Sequence, residues 1–111
     1  MGTDRHSRPP SLATIAVLKA VDEGAAYGFD IMDAAALPSG TVYPILGRLE
    51  QGGLVRSHWE AQTIAQGEKR PPRRYYELTR HGRAVLAAGV EHYRTLGGRL
   101  AAARSWRPRT T

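Results

Sequence analysis

Leu37-Pro38-Ser39-Gly40-Thr41-Val42-Tyr43-Pro44-Ile45-Leu46-Gly47-Arg48-Leu49-Glu50-Gln51-Gly52-Gly53-Leu54 is the stretch on which the fold turns. Pro38 pushes Leu37 out of helical geometry, so an earlier helix ends near it. Ser39 is placed to cap a new helix by accepting a bond from the amide of Thr41 or Val42. Val42, Ile45, Leu46 and Leu49 fall at i, i+3, i+4 and i+7, one apolar stripe of a helix that Gly52-Gly53 then ends. Gly40, Pro44, Gly47 and Gln51 lie opposite the stripe, flanked by Thr41, Tyr43 and Arg48. An ordinary solvated face carries several Lys and Glu; this one is small, polar and lightly charged, and lets a partner approach the backbone. Pro44 gives up an internal hydrogen bond and crowds Gly40, a cost that is milder near a helix start. Alone, the stretch also reads as a short surface helix on any small domain.

Upstream, Ser11 caps a helix running to about Val21. Between Leu12 and Val21 only Thr14 and Lys19 are polar, so this helix must be buried against two neighbours, expected to be the domain's own core and a helix near a dimer seam. Asp22-Glu23-Gly24 stops it. Tyr27 to Ala35 forms a second, short helix with Phe29, Ile31 and Met32 available to pack. The loop Ala36 to Pro38 is short enough for a tight helix-turn-helix.

Downstream, Leu54 to Glu60 and Arg73 to Leu78 read as two strands of a hairpin. The polar loop between them, Ala61 to Pro72, ends in Lys69-Arg70-Pro71-Pro72-Arg73-Arg74, four cations within six residues. Such a run is commonly a solvated face; on a hairpin tip beside the exposed helix it suits phosphate contacts, each of which steepens the salt dependence of binding. Thr79 caps a last helix reaching about Ala103. On it Leu86, Val90, Tyr93, Gly97 and Leu100 repeat at alternating four and three spacing, with Leu96 beside them. Such a stripe also suits a helix that packs back on its own domain, but roughly 25 residues at 1.5 Å each exceed what so small a domain can cover. Leu86, Val90, Tyr93, Leu96 and Leu100 are therefore expected at a dimer interface. Gly97-Gly98 marks a kink or a close crossing. Residues 1–10 read as a flexible polar tail and 105–111 as a basic tail containing Trp106.

The 111 residues make one domain with a small core. A formal charge of +6 and a pI of about 10.3 call for an acidic partner, nucleic acid or an anionic membrane. No apolar run approaches the ~20 residues of a spanning helix, no signal-peptide pattern follows Met1, and the basic residues lie in loops and tails rather than on one face of an amphipathic helix. No membrane role is therefore expected. The absence of cysteine suits the cytoplasm. His6, His58, His81 and His92 have no metal-ligand spacing, no Gly-rich loop cradles phosphate, and no nucleophile is paired with a base. Neither an enzyme nor a cofactor is expected.

Tyr27-Gly28-Phe29-Asp30-Ile31, the Ser-x-Thr-x-Tyr-Pro run from Ser39 to Pro44, Leu54-Val55-Arg56-Ser57, Trp59-Glu60, Pro71-Pro72-Arg73-Arg74-Tyr75-Tyr76-Glu77-Leu78-Thr79 and Gly82-Arg83, in that order and spacing, closely resemble the PadR-like family of bacterial transcription regulators. The resemblance covers roughly Leu12 to Leu100. It implies a winged helix-turn-helix over 11–78, mainly α with a small β-hairpin, followed by a long C-terminal dimerisation helix over 79–104. It further implies a protein that binds operator DNA, usually as a homodimer and usually as a repressor. Ser39, Gly40, Thr41, Tyr43, Pro44 and Arg48 on the recognition helix, with Lys69, Arg70, Arg73 and Arg74 on the wing, are the expected contacts to double-stranded DNA. Two departures matter. Phe29 stands where relatives usually have Tyr, and Gly47 where they commonly carry a long polar residue, so base reading shifts toward Tyr43, Arg48 and the wing. Family members often answer to a small apolar or aromatic effector at the dimer interface, where Tyr93, Leu96 and Leu100 could line a pocket and Trp59 or Trp106 approach it. The alternative is a winged-helix module that binds protein or RNA through the same basic wing.

Overall fold

Ser11 opens the first helix by accepting the Thr14 amide on its hydroxyl at 3.1 Å, and α1 runs Leu12–Asp22. The structure, a computed structural model, describes residues 8–104 and 107–109. Most of the expected N-terminal tail, and Trp106 of the C-terminal tail, lie outside the described residues. After α1 come α2 (Gly28–Ala35), α3 (Ser39–Gln51), β1 (Val55–Trp59), α4 (Gln62–Gly67), β2 (Arg74–Leu78) and α5 (Arg80–Ala103).

The apolar stripe of α3 is its buried face: Val42, Ile45, Leu46 and Leu49 join Ile15, Val17, Leu18, Ala20 and Val21 of α1 and Ile31 of α2 in one core. Each fully buried Leu, Ile or Val contributes about 1.5–3 kcal/mol. Val55 and Leu78 close the core from the hairpin, and Leu86 closes it from α5. α1 is covered on two sides, as its composition requires, and its second neighbour is α5 of the same chain. The two helices cross closely at Gly89, where a Cβ would run into the Ile15 side chain.

Two local expectations are corrected. Ser39 is not the cap of α3 but its first residue. Pro38, extended at φ −75° and ψ 163°, takes the cap position, and its carbonyl accepts the amides of Thr41 and Val42, both at 3.0 Å. A proline needs no amide partner there, and its fixed φ suits the turn. The stretch 61–72 is not all loop: Gln62–Gly67 form α4, with Ala65 fully buried.

The strands pair antiparallel, Val55 with Leu78 through Trp59 with Arg74. A third segment joins them, since Tyr27 bridges Tyr75 and the Tyr76 amide donates to the Ala26 carbonyl at 2.7 Å. This ties the start of α2 to the wing. Thr79 accepts the Gly82 amide at 3.0 Å and donates its hydroxyl to the Gly53 carbonyl at 2.6 Å, docking the head of α5 onto the end of α3. α5 has 24 residues and is unbroken through Gly97-Gly98, where a kink or a close crossing was expected and where nothing within the chain lies within 4 Å of an added Cβ; at 1.5 Å per residue it is about 36 Å long.

Only the first half of α5 is covered. Leu86, expected on a dimer seam, is instead buried in the domain core, because its turn faces α1 and the hairpin. Val90 and Tyr93 pack on the edge of that core, and the Tyr93 hydroxyl donates to the Pro10 carbonyl at 2.7 Å. From Arg94 to Arg104 every residue is exposed, Leu96 and Leu100 among them.

Candidate nucleic-acid interface

α3 presents Gly40, Tyr43, Pro44, Gly47, Arg48 and Gln51 to solvent, with Thr41 half-buried and Ser39 exposed at the start. No side chain larger than hydrogen stands at Gly40 or Gly47, and nothing lies within 4 Å of where a Cβ would be. Pro44 has no amide, so the Gly40 carbonyl lacks its usual partner four residues on. It is a backbone acceptor on an open face.

Tyr43, half exposed, lies across the first residue of α2. A Cβ on Gly28 would meet the Tyr43 hydroxyl and would stand 2.7 Å from its Cζ. The missing side chain at Gly28 thus makes the seat for the ring. Beside this seat a groove of about 750 Å³ opens between the helix-turn-helix and the wing, walled by Tyr27, Phe29, Tyr43, Trp59, Tyr76 and the wing arginines. Phe29 and Trp59 are 70% and 64% exposed, so these aromatics face solvent rather than the core.

The four wing cations have different fates. Arg70 holds Glu60 through both terminal nitrogens, Nη1 to Oε1 at 2.6 Å and Nη2 to Oε2 at 2.9 Å. The Glu60 side chain is only 6% exposed. It also accepts the Arg73 amide at 3.2 Å and the Tyr75 hydroxyl at 3.1 Å. Its hydrogen bonds from Arg70 lower its pKa from the usual 4.5 to about 2, against the opposing effect of burial, while the same pairing raises that of Arg70. Arg74 is engaged as well: Nη2 lies 3.1 Å from Glu50 Oε1, and Nε donates to Ser57 Oγ at 3.0 Å. Ser57 in turn donates to Glu50 Oε2 at 2.6 Å. Glu50, near the end of α3, is thereby clamped to both strands.

Lys69, exposed at a left-handed φ of 58°, and Arg73 have no carboxylate against their side chains among the described residues. The Arg73 guanidinium sits 4.1 Å from the centre of the Tyr27 ring. Tyr43, Arg70, Arg73 and Arg74 therefore share one groove, whereas Ser39, Gly40, Thr41, Pro44, Arg48 and Lys69 stand outside its walls. Tyr27, Ser57 and Glu60 carried the resemblance, but neither they nor Glu50 were expected among the site residues. The register now shows why they belong: Trp59 faces Arg74, so Glu60, one residue on, meets the basic run on the opposite strand. Trp59 walls this groove; it was expected near an effector pocket on α5. Among the described residues no three His, Asp or Glu side chains gather as a metal site, and no helix is long and apolar enough to cross a membrane.

A helix-turn-helix whose second helix exposes a small, polar face, followed by a two-stranded wing and a long final helix, is a winged helix-turn-helix architecture. Residues 17–88 match the model of the transcriptional regulator PadR-like family, and the chain belongs to that family. Its members regulate transcription by binding DNA and are not enzymes. Among solved structures, a PadR family transcription regulator from Clostridium difficile R20291 superposes with a TM-score of 0.73 at 21% identity, over 86% of this chain and 100% of that one. The smu.1704 protein from Streptococcus mutans UA159 gives 0.74 at 23% identity, over 95% and 99%. A PadR-like transcriptional regulator from Bacillus cereus gives 0.70 at 17%, over 85% and 92%. None of the curated proteins compared with the chain matches it significantly.

Proposed function

We propose that this chain is a homodimeric repressor that reads a palindromic operator through α3 and the wing. The observation that supports this best is Tyr43 seated on Gly28, half exposed, with the Arg73 guanidinium across the same groove. An aromatic hydroxyl at the helix start and an unpaired guanidinium on the wing can span one duplex backbone. Thr41 and the amino end of α3 would contact phosphate, helped by the helix dipole. Arg48 would reach a phosphate or a guanine, and Lys69 and Arg73 would grip backbone or minor groove. The open backbone at Gly40 and Gly47 permits close approach. Arg70 and Arg74, already held by carboxylates, would shape the wing more than touch DNA. A net charge of +6 favours the encounter.

The exposed second half of α5 supports the dimer, with Leu96 40% and Leu100 65% exposed. Two recognition helices related by a two-fold axis would read half-sites about one turn, ~10 bp, apart. With Tyr93 tied to Pro10, a small apolar effector at this seam would lie against Leu96 and Leu100. Selection of bound duplexes from random-sequence DNA, with the oligomeric state followed by light scattering, tests the reading. An enriched palindrome bound by a dimer is expected; salt-sensitive binding with no enriched sequence would point instead to a protein- or RNA-binding module.

A further inference from the structure

We propose that Glu60 is the positioning residue of the DNA-binding wing: it holds the wing tip so that the Arg73 guanidinium is set on Tyr27, facing the groove beside Tyr43. The inference rests on the DNA-binding reading for its consequence, but not for its geometry.

The wing tip between α4 and β2 contains Pro71 and Pro72, which cannot donate to a strand ladder. Its shape must come from elsewhere, and Glu60 supplies five hydrogen bonds. Its carboxylate takes both Arg70 nitrogens, the Arg73 backbone amide and the Tyr75 hydroxyl, while its own amide donates to the Arg73 carbonyl at 2.8 Å. Arg73 is therefore bracketed front and back by one residue on the opposite strand. With its backbone fixed there, its side chain meets the Tyr27 ring, and Tyr27 is itself held by its bridge to Tyr75 and by an edge-on contact, ring centres 5.8 Å apart. Tyr75 completes the circuit by giving its hydroxyl to Glu60. A carboxylate this occupied repels little: its charge is matched by Arg70, as Glu50 matches Arg74, which leaves Arg73 as the groove arginine on offer.

This assigns opposite signs to two effects of removing the charge. By charge alone, Glu60→Gln makes the protein more basic and strengthens binding to a polyanion. If Glu60 acts by placing Arg73, the same change weakens binding, because a mobile guanidinium loses the phosphate it was set to meet.

Two measurements on the full chain test the idea. Without DNA, Arg73 side-chain protons should show an upfield ring-current shift from Tyr27 in the NMR spectrum. Glu60→Gln should abolish that shift and the slow exchange of the Arg73 amide. An unchanged shift overturns the proposal whether or not the protein binds DNA. With DNA, Glu60→Gln and Arg73→Ala should each weaken binding about tenfold, the scale of one charge-assisted contact. The double variant should be no weaker than Arg73→Ala alone. Additive losses, or tighter binding by Glu60→Gln, would overturn it. Should Glu60→Gln fail to fold, Arg70→Gln removes the same anchor from its other end and must abolish the same ring-current shift, an unchanged shift overturning the proposal. Its DNA affinity is not the readout, because loss of a cation weakens binding on either account. If the wild type binds no duplex while the ring-current result holds, the positioning stands and the DNA reading fails.

Discussion

Gly28 and Tyr43 meet across the turn between α2 and α3, the phenol lying in the space that any larger residue at position 28 would fill. Glycine is not needed there for backbone freedom, since Gly28 is not among the positive-φ positions. Gly28→Ala should therefore leave the melting temperature unchanged or slightly raised, alanine being the better helix former. It must nevertheless displace the Tyr43 ring toward solvent. Affinity for operator DNA should fall about tenfold, as for loss of one good contact. A binding titration beside a thermal melt checks both halves; intact affinity would remove Tyr43 from the proposed contacts.

Acid should loosen the wing late. The Glu60 carboxyl titrates at about 2 when folded and near 4.5 when free. A lowered folded pKa means that its contribution is complete above about pH 4.5 and is lost as the pH falls toward 2. Wing amides, followed by hydrogen exchange, should stay protected at pH 5 and lose protection through that lower window. Glu60→Gln should show no such step.

At Gly82 the obstruction is backbone rather than side chain. A Cβ would be driven into the Leu54 carbonyl, which already accepts the Thr79 amide at 3.0 Å. Neither partner can swing aside, so Gly82→Ala must push α5 off the hairpin. Loss of about 2 kcal/mol or more is expected, the range of overpacked cores, measured by urea denaturation. Gly97→Ala, in open space on the same helix, should instead be stabilising by up to about 1 kcal/mol.

The main elements were legible because their signals are local. The α3 stripe, the caps at Ser11 and Thr79 and the aromatic and aliphatic runs of the two strands each lie within one window of sequence, and each element is present. What escaped was set by pairing across distance. Nothing near Glu60 says that its carboxylate will face Arg70, Arg73 and Tyr75, since that follows from the hairpin register. Nor does a list of four wing cations reveal that Arg70 and Arg74 are matched by acids on other elements. Leu86 was misplaced for a related reason: a heptad-like stripe shows which residues share a face, not where along the helix that face passes from its own core to solvent.

That change of role along α5 gives the sharpest contrast between stability and assembly. Leu86 is 6% exposed within the core, so Leu86→Ala should cost about 2–4 kcal/mol of folding stability through the cavity it leaves. Leu96 and Leu100 touch no such core. Replacing both with Ala should hardly alter the stability of a single chain, because a helix tolerates alanine well and little apolar surface is uncovered. In a dimer joined through this half of α5, the same pair should raise the dissociation constant by a hundredfold or so, two buried leucines at about 1.5 kcal/mol each. Sedimentation velocity across a dilution series measures the shift. A dimer unaffected by Leu96→Ala with Leu100→Ala would place the subunit contact elsewhere and leave this end of the helix for another partner.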